Sequence, residues 1–121
     1  MDLKEFDDLI NLGRVTRSLK LGSHEIVMGT LDSKEYAAAM TRIPAGASDG
    51  DKFEMLQREI VAAAIKTIDG KTLPQQDKVG IVTASQLGLS NMLYVEYLSL
   101  VEEQNLALEQ AKKNSSAALM Q

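Results

Sequence analysis

Residues 51 to 68, DKFEMLQREIVAAAIKTI, constrain the fold more than any other stretch. Phe53, Leu56, Ile60, Ala64 and Ile68 recur at steps of three or four residues, and Val61 and Ile65 widen the stripe. Lys52, Glu54, Arg58, Glu59 and Lys66 mostly take the other faces. The spacing predicts an amphipathic helix over 51–68, placed at the centre of the core. Ala62-Ala63-Ala64 carries little side chain, so another element can approach closely there. Asp69-Gly70 then ends the run, with Gly70 expected as a helix C-cap and Asp69 in a turn.

The other elements follow from changes of period. Leu3, Phe6, Leu9 and Ile10 predict a short helix over 2–12, closed by Gly13. From Val15 the pattern alternates: Val15, Arg17, Leu19 and Leu21 on one face, Thr16, Ser18 and Lys20 on the other. With the β-prone run from Glu25 to Thr30 this predicts a hairpin turning at Gly22-Ser23-His24. Arg17 falls on the apolar face. A hairpin alone is marginal and needs a helix behind it or a strand beside it. Asp32 and Glu35 form a capping-box pattern, with Leu31 and Tyr36 as a hydrophobic staple, so a helix is expected from Ser33 to Arg42 before Pro44. PAGASDGD is a loop. A less regular helix is expected from Gln75 to Leu87, ended by Gly88. Ser90 or Asn91 then caps a last helix from Met92 to about Lys113.

In that last helix Tyr94, Leu98, Val101, Asn105 and Leu108 recur at four-three-four-three spacing, a heptad seam with one polar member. Leu93, Tyr97 and Leu100 form a second strip beside it. Two readings stand: one strip faces the core and the other a partner, or both are core. The fold class expected is α+β, mostly α: an N-terminal helix and a β-hairpin packed on three to four helices. Residues 1–113 are expected to form one domain, and 114–121 a flexible tail in which Leu119-Met120 has the means to dock.

Composition narrows the function. A chain of 121 residues with 45% hydrophobic and 25% charged residues is composed like a soluble globular domain. The net charge of -4 with no dense basic cluster argues against nucleic acid. No apolar run approaches the ~18 residues of a membrane span, and the start MDLKEFDDLI has acids where a secretory signal has basic and apolar residues. With no cysteine, disulfide and thiolate chemistry are excluded.

The chemical motifs fail on spacing. Gly70-Lys71-Thr72 resembles the end of a phosphate loop, but Ile65 stands where the first glycine belongs and a helix is expected before it. Asp49-Gly50-Asp51 with Glu54 hints at calcium, but Ala45 and Leu56 hold the other ligand positions. Asp49 or Asp51 reads better as the cap of the following helix. His24, the one histidine, falls in a predicted turn as a solvated residue. The carboxylate pairs Asp7-Asp8, Asp32/Glu35, Glu54/Glu59 and Glu102-Glu103 each have an account as a cap or a solvated face. The sequence therefore predicts a non-enzymatic protein without catalytic, cofactor-binding or metal residues.

A hairpin leading into TLDSKEYAAAM, the run DKFEMLQREIVAAAIKTIDGKTL, and LGLSNMLYVEYLSLVEEQ come in that order. The chain from about Val15 to Gln104 resembles small proteins of tailed bacteriophages, either tail and baseplate structural proteins or tail assembly chaperones. The resemblance rests on Thr30-Leu31 with Glu35, on Ile68-Asp69-Gly70, and on Glu96-Tyr97, Leu100 and Gln104. It implies work between proteins, with other tail or baseplate proteins or a second copy of the chain as partners. The implied location is the virion tail, after assembly in the host cytoplasm. A structural subunit is preferred; the alternative is a chaperone that binds the tape-measure protein and leaves. The interface is expected at Tyr94, Leu98, Val101, Asn105 and Leu108, with the hairpin edge as a second contact.

Overall fold

The computed structural model describes residues 2–120, with side chains through Ser115. The fold is α+β and mostly α. A 3₁₀ turn (Leu3–Phe6) leads into α1 (Asp7–Ile10), β1 (Thr16–Leu21), β2 (His24–Gly29), α2 (Ser33–Thr41), α3 (Asp49–Ala64), β3 (Ile65–Ile68), α4 (Gln75–Ala84) and α5 (Leu87–Met120). The strands form one antiparallel sheet in the order β1-β2-β3.

The hairpin forms as the alternation requires, with Leu21 opposite His24 across a two-residue turn. His24 therefore begins β2 rather than sitting in the turn. Asp32 accepts a bond from the Glu35 amide at 2.7 Å and the Glu35 carboxylate accepts one from the Asp32 amide at 3.0 Å, completing the capping box of α2. Ser48, not Asp49 or Asp51, caps α3, accepting from the Asp51 amide at 3.2 Å. Asp49 and Asp51 lie in its first turn, where acids complement the helix dipole.

The expected helix over 51–68 is the largest correction. It ends at Ala64, and Ile65-Lys66-Thr67-Ile68 becomes the third strand. Three of these four residues are β-branched, and the hairpin needs a neighbour more than α3 needs another turn. Gly70 is accordingly not a helix cap. Asp69 at φ 53° and Gly70 at φ 78° are both left-handed, as a two-residue mirror-image turn demands. Ile68 and Lys71 close it with reciprocal backbone bonds of 3.0 and 2.9 Å.

Four further boundaries differ. The expected helix over 2–12 breaks into a 3₁₀ turn and one α-turn, and neither buries a residue; with nothing packed on it, a helix this short lacks support. The helix starting at Gln75 ends at Ala84, where the Ser85 hydroxyl bonds back to the Ile81 carbonyl at 2.6 Å. Helix α5 starts at Leu87, so Gly88, Ser90 and Asn91 lie inside it. It also runs on as far as Met120, through a stretch without Pro or Gly, and the side chains of Leu119 and Met120 lie outside the described residues. Gln121 lies outside the described residues.

The core is one cluster of Met28, Val61, Ala62, Ala64, Ile65, Val82, Leu93 and Leu100. Residues 59–64 of α3 are buried on every side, between α2, α4 and α5. The alanine triplet allows that approach. The stripe also misleads at its start: Phe53 is 62% exposed.

Candidate protein-binding interface

Helix α5 is seated by the strip that sequence reading set beside the seam. Leu93 and Leu100 are buried in the core, and Tyr97 packs against it. Burial raises the Tyr97 phenol above its ordinary pKa, with smaller contributions from Tyr94 and Tyr36. Tyr94 and Tyr97 are tilted neighbours with ring centroids 6.5 Å apart.

A polar clamp fixes the rotation of the helix. Arg17 projects from the inward face of β1 and donates to Glu96, to Glu103 at 2.6 Å and to the Ser99 hydroxyl at 3.4 Å. Glu96, Ser99 and Glu103 form one row along α5, at steps of three and four. The hydrogen bond to Glu96, ahead of the charge of Glu103, raises the Arg17 pKa further. Glu96 and Glu103 are thus the reason an arginine stands on an apolar strand face. Glu96, Ser99 and Glu103 were missed; the signal was the arginine itself, which needs acids opposite it once turned inward.

With α5 so oriented, the five predicted interface residues divide. Tyr94 is half-buried against the core and Val101 is half-buried. Leu98 is 46% exposed and Asn105 is exposed. Leu108 is 38% exposed but touches the chain before the sheet: a Cβ added to Gly13 would lie 2.9 Å from its Cδ2. The structure therefore keeps Leu98, Val101 and Asn105 together on one flank and brings Leu108 to the N-terminal segment.

That segment carries further exposed apolar residues. Leu3, Phe6, Leu9, Ile10 and Leu12 are all between 43% and 67% exposed. A separate apolar groove of about 400 Å³ lies at the α2–α3 corner, lined by Met40, Ile43, Pro44, Phe53 and Leu56.

The two outer strands of the sheet are unlike. Lys71 folds back on Ile68 at the end of β3, whereas β1 pairs only with β2 among the described residues. Edge strands in soluble proteins are commonly protected by charge, and β1 carries Arg17 and Lys20.

The remaining polar groups are mostly tied to structure. Glu59, 7% exposed, accepts from Arg42 Nε at 2.6 Å and from Gln75 Nε2 at 3.1 Å. Glu54 instead lines a polar cleft of about 210 Å³ between α3 and the α4–α5 junction, so the two acids do not converge. Lys66 pairs with Glu35 at 2.8 Å. Lys78 donates to the Ile65 carbonyl at 2.9 Å; burial and then Lys66 lower its pKa, against an opposing contribution from Glu35. His24 is exposed, yet it bonds Asp69 through Nδ1 at 2.6 Å. Because β3 precedes Gly70, one objection to a phosphate loop disappears. The other stands, for Ile65 is a buried strand residue at the first-glycine position.

No protein-family model matches the chain, and neither the curated proteins nor the solved structures hold a match to it.

Proposed function

We propose that this protein is a non-enzymatic component of bacteriophage tail morphogenesis, a structural tail or baseplate subunit that binds its neighbours through α5 and the β1 edge. The observation that carries the reading is the division of α5. One strip, Leu93 and Leu100, is buried, while Leu98, Val101 and Asn105 on the adjoining flank remain open or half-open. A helix used only as core has no need of the second strip. The motif resemblance over Val15 to Gln104 supplies the biological setting.

The exposed apolar segment over Leu3–Leu12 favours a second reading, a tail assembly chaperone that holds a hydrophobic stretch of the tape-measure protein and is absent from the finished virion. Quantitative mass spectrometry of purified particles beside infected-cell lysate separates the two. Fixed stoichiometry with tail proteins in the particle supports the subunit. Presence in lysate alone supports the chaperone. Failure to track phage proteins in either sample removes both.

A further inference from the structure

The backbone of β1 divides by alternation. The Val15 carbonyl accepts the Thr30 amide at 3.0 Å, and the Val15 amide bonds the Thr30 hydroxyl at 3.2 Å. Val15 therefore directs its backbone toward β2, and the antiparallel register makes Arg17, Leu19 and Leu21 do the same. Thr16, Ser18 and Lys20 turn their N–H and C=O groups outward. No backbone–backbone bond outside the ladder uses them among the described residues. Their side chains are exposed, while Val15, Leu19 and Leu21 stay half-buried. Arg17 does not guard this edge, because its guanidinium is held inward by Glu96 and Glu103. Strand β3, on the other side of the sheet, is capped. Ile68 exchanges both backbone groups with Lys71, and the Ile65 carbonyl accepts the Lys78 ammonium.

We propose that β1 pairs antiparallel with β1 of a second copy, about a two-fold axis at Ser18, joining the two three-stranded sheets into one. The proposal rests on the reading of the β1 edge as a contact and adds its occupant and register. Ser18 then faces Ser18 of the second copy, and Thr16 faces Lys20 of the second copy. These are the residues whose backbone groups are open, so each pair exchanges two hydrogen bonds. Opposed residues of antiparallel strands share a face. On the inner side Val15 therefore meets Leu21 of the second copy and Arg17 meets Leu19, and no charge opposes its like. Sliding the copy by two residues spoils the match. One direction sets Lys20 against Arg14 of the second copy, and the other sets Thr16 against the Gly22 turn. With β3 capped, the contact is isologous and stops at a dimer rather than growing into a fibre.

The test uses the full chain, which has no cysteine of its own. Sedimentation should show a dimer. Ser18→Cys should cross-link to itself under mild oxidant, since hydrogen-bonded partners sit about 5.5 Å apart between Cα atoms, within disulfide reach. Lys20→Cys should not, because the two copies of that position lie roughly 13 Å apart along the paired strands. Thr16→Glu should tighten the dimer and Thr16→Lys weaken it, with dissociation constants that differ by at least about fourfold, since the Thr16–Lys20 pair occurs on both sides of the axis. Ser18→Pro should give a monomer with an unchanged circular dichroism spectrum, because the amide it removes faces solvent in the isolated chain. A monomer at every concentration, or cross-linking at 18 no faster than at 20, overturns the proposal. If the chain is monomeric and Ser18→Pro still bars it from particles, the edge binds a different protein and only the second copy falls. If Ser18→Pro leaves both the association state and particle entry unchanged, the reading of the β1 edge falls as well.

Discussion

Single residues carry the geometry that the element pattern does not. Gly70 stands at φ 78° with nothing within 4 Å of an added Cβ, so a substitution there meets backbone strain rather than a clash. Gly70→Val should lower the melting temperature, and Gly70→Asn should lower it less, because Asn tolerates the left-handed region; an unchanged Val variant would refute the turn geometry. The penalty per residue is about 1–2 kcal/mol. Asp69 accepts the Glu25 amide at 2.8 Å, and that bond first, then the bond from His24, lowers its pKa below the ordinary 3.8. A depressed carboxylate stabilises the fold above its unfolded pKa and loses that contribution as pH falls through the folded one. The melting-temperature gap between wild type and Asp69→Asn should thus hold near neutrality and close below about pH 4. A gap that persists at lower pH would assign the effect to something other than the carboxylate.

At the scale of elements, α5 depends on two kinds of contact that separate by mutation. Leu98→Asp or Val101→Asp should leave the circular dichroism spectrum intact and abolish partner binding. Folded variants that still join the complex would exclude this flank as the interface. Arg17→Met should act differently: it leaves Glu96 and Glu103 without their counter-ion and loosens the seat of α5, lowering the midpoint of a denaturant titration. Asp32→Ala, by contrast, removes one side of a cap and should cost about 1 kcal/mol. Elements with local signals were legible in the sequence: the alternation of β1, the box at Asp32 and Glu35, the heptad steps of α5. Strand β3 was not. Ile65 and Ile68 continue the helical stripe of α3 as well as they begin a strand, and only pairing with Ile26 and Met28, about forty residues earlier, decides between the two. The Asp-Gly turn after it was the local clue. In the candidate interface, the seam positions were legible but their rotation was not, because Arg17, Glu96 and Glu103 set it across the whole chain.

For the whole molecule, the apolar residues are unevenly placed. The buried cluster draws on the sheet, the C-terminal half of α3, α4 and the first half of α5. The N-terminal segment, the start of α3 and the open flank of α5 keep large apolar side chains outside. The chain as a whole carries a formal net charge of -4. The Arg17 clamp has one more consequence, in time rather than space. It joins residues 79 and 86 positions apart, and its acids lie on the final helix of the chain. Loop closure of that length comes late, and synthesis runs from the N-terminus. On the ribosome, Arg17 must therefore wait for its partners until residues 96 to 103 have emerged.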